Sequence, residues 1–314
     1  MTHDTEKNPH PEQAPLACTT QSGVVLFLGV PNAGKSSLLN AVLGVKLAAV
    51  SHKPNMTRFC ITGVHTEGTA QMILMDAPGL MQSPQNIMEK TIQSHLKQTL
   101  TTVDIVVAVV DVARAFHDRE QHIYTLLAQQ KKPVILVLNK VDTVKKTDLL
   151  PMLARFQQET PFWKAIIPLS AQKRQGVDRL LSEIKACLPS APWLCAEDDL
   201  STLPMSFLAT EATREQIYKY LHDELPYHLN VTADSWETKR DGSAIIRQTV
   251  WVDQDRYRRI LLGHKGQTLK TIGEGARHTL SRVLGHPVHL FLTVMVDPEW
   301  TQRLRLTPGG GAAL

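Results

Sequence analysis

The feature that most restricts what this chain can fold into is the run Gly29-Val30-Pro31-Asn32-Ala33-Gly34-Lys35-Ser36, set between an apolar stretch at 24–28 and a helix-forming one at 36–43. It fits G-x4-G-K-[ST] at every fixed position and in the strand–loop–helix setting that the pattern demands. Glycines let the backbone wrap until several N–H groups converge on one anion, and the start of the following helix adds the positive end of its dipole. On this reading Gly29 through Ser36, with Ser37 behind them, cradle phosphates. Lys35 reaches the β- and γ-phosphates, and the Ser36 hydroxyl ligates Mg²⁺. A glycine-rich turn carrying a solvated lysine would share the letters but not the context.

Three further signals follow in order, each at the end of an apolar run. Asp76-Ala77-Pro78-Gly79-Leu80 follows residues 72–75. There a carboxylate can hold Mg²⁺ through a water, and the Gly79 N–H can sense the γ-phosphate. Asn139-Lys140-Val141-Asp142 ends a third run. An aspartate that accepts from guanine N1–H and N2–H₂ would be left unpaired by adenine, so this motif selects GTP over ATP. Ser170-Ala171, after 165–169, supplies a backbone contact to guanine O6. Thr57 lies between the first two motifs, where a mobile loop can offer its hydroxyl to Mg²⁺ when the γ-phosphate is present. The candidate catalytic set is Lys35, Thr57, Gly79 and Asn32. Leu80 stands where Ras-like enzymes place the glutamine that orients water, and leucine cannot orient water.

Apolar runs at 24–28, 72–75, 105–110, 134–138 and 165–169 alternate with helical patterns at 36–43, 85–100, 119–129 and 149–158, which predicts an α/β doubly wound domain with a mostly parallel sheet. The chain has 314 residues, enough for two domains, and its 43% hydrophobic and 20% charged residues argue against disorder. Cys18, Cys60, Cys187 and Cys195 are too scattered for a zinc site or a disulfide framework and read as reduced cytosolic thiols. The polar first 22 residues do not resemble a signal peptide, and no apolar run approaches a membrane span. The expected organisation is an N-terminal extension at 1–22, a nucleotide domain at 23–188, a Pro- and acid-containing linker at 189–204, a second domain at 205–298 and a tail at 299–314.

The second domain has a different grammar: a helix at 213–224, strands at 227–239 and 244–253 joined through Asp241-Gly242, a short helix at 256–262, a longer one and a closing strand at 288–296. The longer helix carries Leu269, Ile272, Ala276, Leu280 and Val283 at spacings of three or four. Between the last two helices lies Gly263-His264-Lys265-Gly266, which fits the GXXG loop of a KH domain, and the element order resembles its bacterial type II variant, an α+β fold. From 256 to 282 there are seven basic residues against Glu274 alone. Arg256, Arg259, Gly263, His264, Lys265, Gly266 and Lys270 are therefore the candidate RNA-binding residues; the net charge of +4 would not have suggested them.

Together these motifs resemble translation-factor-type P-loop GTPases and, more narrowly, the Era family of bacterial ribosome-assembly GTPases, over about residues 23–296. The resemblance rests on the segments at 29–36, 53–58, 76–80, 139–142, 170–176 and 263–266. It implies a GTP-hydrolysing switch that binds Mg²⁺ with GTP or GDP and holds single-stranded small-subunit (16S) rRNA near its 3′ end during 30S biogenesis, with no DNA partner. It also implies a cytoplasmic location with weak peripheral association at the inner membrane, and potassium bound at Asn32 in place of an arginine finger. Family members usually have two threonines before Arg58; here Met56 takes the first place, and residues 301–314 depart from the family's end. Tandem relatives would need a second phosphate loop, and RNA-modifying relatives a reactive C-terminal cysteine. The alternative of another class is an RNA-binding protein that senses GTP with negligible turnover.

Overall fold

The structure, a computed structural model, describes residues 20–50, 60–80, 87–160, 162–221 and 228–300, with only the helical backbone described at 87–89, 91 and 92. In chain order the first half runs β1 (Gln21–Leu28), α1 (Lys35–Leu43), β2 (Ile61–Glu67), β3 (Ala70–Asp76), α2 (Ile87–Thr102), β4 (Ile105–Asp111), α3 (Asp118–Leu127), β5 (Val134–Asn139), α4 (Lys146–Glu159), β6 (Ala165–Pro168) and α5 (Val177–Cys187). The five apolar runs form the parallel part of one sheet, ordered β2-β3-β1-β4-β5-β6. Their unbroken apolar character follows from helices covering both faces: residues 105–110 are buried throughout. The chain reverses sheet direction at β1, whose neighbours are β3 and β4. All four motifs emerge at the carboxyl ends of the strands, the side on which open α/β sheets bind their ligands beside such a switch point.

Two elements escaped the sequence pattern. Strand β2 pairs antiparallel with β3 at the sheet edge, and its Thr-Gly-Val-His-Thr lettering lacks a continuous apolar run. Helix α5 buries only Val177, Leu180 and Ile184. The segment at 189–204, expected as a linker, is bound along the β2–β3 side of the sheet. The Gln71 side chain accepts from the Leu194 and Cys195 amides (2.8 and 2.9 Å) and donates to the Cys195 carbonyl (2.9 Å). Trp193 donates to the Thr69 carbonyl, Val64 N–H donates to the Leu200 carbonyl, and the Ser201 and Thr202 hydroxyls meet Thr62.

The second half comprises α6 (Met205–Tyr220), β7 (Leu229–Thr238), β8 (Ala244–Val252), α7 (Asp255–Leu262), α8 (Gln267–Leu284) and β9 (Val288–Val296). Strands β7 and β8 pair antiparallel, β8 and β9 parallel, in the order β7-β8-β9. Helix α6 starts eight residues before the expected 213 because its middle is polar yet buried. Arg214 donates to Glu211 at 2.6 Å, and the Thr213 hydroxyl donates to Gln248 at 2.6 Å. Paired in this way, such groups can be buried without an apolar stripe to announce them. Glu215 of α6 also reaches the first half, pairing with Lys46 at 2.7 Å and accepting from the Val50 amide. Among the described residues no helix is long and apolar enough to cross a membrane.

Candidate nucleotide site and RNA groove

The phosphate end is built where β1 turns into α1. Gly34 has φ +99°, and a Cβ there would lie 2.1 Å from Asn139 Nδ2, so only glycine fits. Lys35 is buried with its ammonium donating to the Gly29 and Val30 carbonyls at 3.2 and 3.0 Å. Burial lowers its pKa, and the Asp76 carboxylate opposes that shift. At the end of β3, Asp76 is 0% exposed. Its Oδ2 accepts from the Ser36 hydroxyl at 2.5 Å, while Oδ1 is buried with no hydrogen-bond partner. Burial pushes this carboxyl up to about 6 against the pull of Lys35 and Ser36. An unsatisfied buried carboxylate oxygen beside a serine hydroxyl is a hard-oxygen donor pair, and Mg²⁺ is the ion it suits.

The Asp76-Ala77-Pro78-Gly79-Leu80 segment is stitched to the loop by the Leu80 amide, which donates to the Gly29 carbonyl at 3.0 Å. The Leu80 side chain is buried. Gln93 on α2, which the sequence did not single out, donates to the Gly79 carbonyl at 3.2 Å. Asn32 sits exposed at the loop apex with φ +65°. Thr57, and with it Met56 and Arg58, lies outside the described residues.

The base end is organised by one side chain. Asn139, ending β5, donates from Nδ2 to the Ala33 carbonyl (2.9 Å) and accepts at Oδ1 from the Lys140 and Ala171 amides (2.8 and 3.0 Å). It thereby fixes the phosphate loop to the Ser170–Ala171 turn. The Ala171 amide, in the turn expected to contact guanine O6, is engaged by Asn139 in this structure. Lys140, itself at φ +65°, extends its ammonium over the loop to the Asn32 carbonyl at 2.8 Å. The Asp111 carboxylate ending β4 holds that ammonium at 2.7 Å. Sequence reasoning passed over Asp111; the signal available was a carboxylate closing a buried strand at the same sheet edge as Asp76. Asp142 lies beside this turn, its pKa lowered chiefly by a hydrogen bond from the Ser170 hydroxyl and also by the Lys173 ammonium 3.9 Å away.

In the second half, α7 gives way at Gly263 to a single turn over His264–Gly266, and α8 begins at Gln267. His264 and Lys265 are exposed, and Lys265 takes φ +50°. Gly266, which caps α8, and one face of that helix, carrying Leu269, Lys270, Gly273, Glu274 and Arg277, line an open groove of about 420 Å³ whose opposite wall is β9. Leu269 therefore belongs to the groove lining, whereas Ile272, Ala276 and Leu280 are core. Arg277 joins the candidate cations. Arg258 and Arg259 pair with Asp255, one residue outside the basic window counted above, although the Arg259 side chain is still 82% exposed. Arg256 lies over the Tyr257 ring and donates to its hydroxyl. Lys265 and Lys270 form no ion pair among the described residues.

Comparison with known proteins places these two sites in context. Residues 24–140 match a family model described as 50S ribosome-binding GTPase, and residues 224–301 match one described as KH domain. The GTPase Era of Mesorhizobium japonicum is 39% identical, with 90% of each chain covered. That of Bradyrhizobium sp. strain BTAi1 is 40% identical, with 90% of this chain and 91% of the relative covered. Among solved structures, Era in complex with MgGDPNP and nucleotides 1506–1542 of 16S ribosomal RNA superimposes with a TM-score of 0.85 at 32% identity, covering 91% of this chain and 97% of that one. A point variant of Aquifex aeolicus Era bound to GDP·AlF₄⁻ gives the same figures.

Proposed function

This chain belongs to the Era family of GTPases, and from that premise we propose a Mg²⁺-dependent switch that hydrolyses GTP to GDP and phosphate and holds single-stranded RNA near the 3′ end of small-subunit rRNA during 30S assembly. The observation that carries the nucleotide reading is the Asn139 side chain, which locks the phosphate loop and the base-contacting turn into one rigid frame. The RNA reading is supported by the exposed glycine loop at 263–266, the basic groove beside it, and the relative solved with 16S nucleotides.

The residues divide the work by chemistry. Amides of the loop from Gly29 to Ser37 bind the phosphates, and the Lys35 ammonium, now resting on two loop carbonyls, turns toward the β- and γ-oxygens. Mg²⁺, held by Ser36 and Asp76 with Thr57 as the third protein oxygen, would supply charge neutralisation at those oxygens. Asp142 accepts from guanine N1–H and N2–H₂, and Lys140 covers the loop. The Gly79 amide senses the γ-phosphate through the Ala77-Pro78 turn. Leu80 is buried and apolar, so it positions no water, and turnover is slow without another group. Asn32 would hold a potassium ion that would supply the missing positive charge: turnover should rise in KCl over NaCl, and equal rates would remove the idea.

Two separate sheets, each with its own buried cluster, support a nucleotide domain and an RNA-binding domain, and the hydrogen bonds of 189–204 together with Leu208 in the first cluster attach the segment between them to the nucleotide domain. RNA contacts fall to Arg256, Arg259, His264, Lys265 and Lys270, with Gly263 and Gly266 admitting the phosphate backbone. The protein works in the cytoplasm, where its RNA is, with any inner-membrane association peripheral. The test is to equilibrate protein with MgGTP analogue, MgGDP or no nucleotide, and to measure affinity for 3′-end 16S RNA and a 23S control. Preferential 16S binding that depends on nucleotide supports the reading. Failure to bind GDP or GTP with Mg²⁺, or equal affinity for both RNAs, overturns it.

A further inference from the structure

Strand β9 is one edge of the second sheet among the described residues, and its side chains alternate between two surfaces. Leu290, Leu292 and Val294 turn toward the helices, while Phe291 and Met295 stand 51% and 47% exposed. Phe291 lies in register with Arg247 of β8, whose guanidinium carbon is 4.9 Å from the ring centroid. The same phenylalanine stands at the rim of the groove, next to Leu290 and Leu292 of its wall. A polymer leaving the groove across that edge therefore meets an aromatic ring and a cation at once.

We propose that Phe291 and Arg247 form a second RNA contact on the outer face of the sheet. It takes one unstacked base on the ring–guanidinium platform and serves the nucleotides that flank those in the groove. The proposal rests on the RNA reading above. RNA fits better than a protein partner because the exposed ring is paired with a cation, and because the surface continues directly from the groove that carries Lys270 and Arg277. A GXXG groove clamps about four nucleotides, so only a longer strand reaches Phe291. The platform would thus set how much single-stranded RNA must be free before the protein binds tightly.

The experiment compares affinities of the full chain for a four-nucleotide and a ten-nucleotide single strand by fluorescence anisotropy. Phe291→Ala should lower affinity for the longer RNA about tenfold, a typical loss for one stacked base, and shrink the long-to-short affinity ratio. GTP turnover without RNA should be unchanged. Phe291→Trp should restore the ratio, and Arg247→Ala should flatten the salt dependence of the longer RNA only. An unchanged ratio in Phe291→Ala overturns the platform and leaves the face to a protein partner. An equal loss at both lengths also overturns it, placing the ring inside the groove. Lys265→Glu is the control for the underlying reading: if it weakens neither RNA, the groove assignment fails separately.

Discussion

The phosphate cradle and the RNA groove are both glycine-bordered helix starts, yet they are built on opposite plans. In the cradle every wall is occupied: Gly34 abuts Asn139, Lys35 is buried, and Asp76 has no exposure. Around the groove, Gly266 takes φ +78°, but a Cβ there would meet nothing within 4 Å, and the nearby Lys265 and Lys270 point into solvent. The first site recognises by prearranged close contact in a poorly hydrated setting, the second by screened charge and an open floor. An added methyl group in the cradle has nowhere to go; beside the groove the same holds at Gly263, where a Cβ would lie 2.0 Å from Thr268 Oγ1, whereas Gly266 tolerates substitution at the cost of affinity.

Substitutions at matched positions can break or sharpen that contrast. Gly34→Ala is expected to have the largest effect: its Cβ would displace the Asn139 amide from the Ala33 carbonyl in addition to the backbone strain of about 1–2 kcal/mol. GDP binding, followed with a fluorescent analogue, should be lost. Gly266→Ala carries only the backbone strain, and RNA affinity should fall by less than about tenfold; equal damage from the two alanines would dissolve the distinction. Second in size, Asp142→Asn should lower GTP affinity by about 10⁴-fold, the scale of a lost specific hydrogen-bond pair, and shift preference to xanthine nucleotides. Retained guanine selectivity would remove Asp142 from the base site.

Next is pH. Folding raises the Asp76 carboxyl to about 6, so its ionisation opposes folding of the nucleotide-free protein. Stability should be greatest at acid pH for this group and decline as pH rises from about 4 through 6, a trend that Asp76→Asn abolishes in thermal melts. Mg²⁺ needs the ionised form, so Mg²⁺-dependent nucleotide affinity should fall about tenfold per pH unit below about 6. Asp142 shifts the other way: its contribution to stability is full above the ordinary carboxylate range and is lost progressively as pH falls through that range to its lowered folded value. The smallest effect belongs to Lys265→Glu, which should weaken RNA binding several-fold and reduce the salt slope by about 0.7 for each phosphate the protein no longer neutralises, leaving GTP affinity intact.

The cradle was legible because each of its motifs closes an apolar strand, and strands buried on both faces write themselves into sequence as unbroken runs. Asp111 closes a buried strand as Asp76 does, but it belongs to no motif, and its contact with Lys140, 29 residues away, is a pairing that no local pattern encodes. Helix α6 was placed late for the same reason: Glu211, Thr213 and Arg214 look like surface letters and are buried through one another and Gln248. In α8 the spacing of Leu269, Ile272 and Ala276 was right, but periodicity cannot tell a core stripe from the lining of a groove. The basic window overlooked Asp255 by one residue, and Arg258 and Arg259 are partly neutralised by it.

The bound segment at 189–204 has a practical consequence for anyone dissecting the protein. A truncated version ending at Leu188 would retain every nucleotide motif, yet it would strip Gln71 of its three hydrogen bonds to Leu194 and Cys195, leaving it Thr66 alone, and leave the Val64 amide without the Leu200 carbonyl. The uncovered margin could then recruit a neighbour's strand, and precipitation of such a fragment would reflect a missing sheath rather than a faulty core.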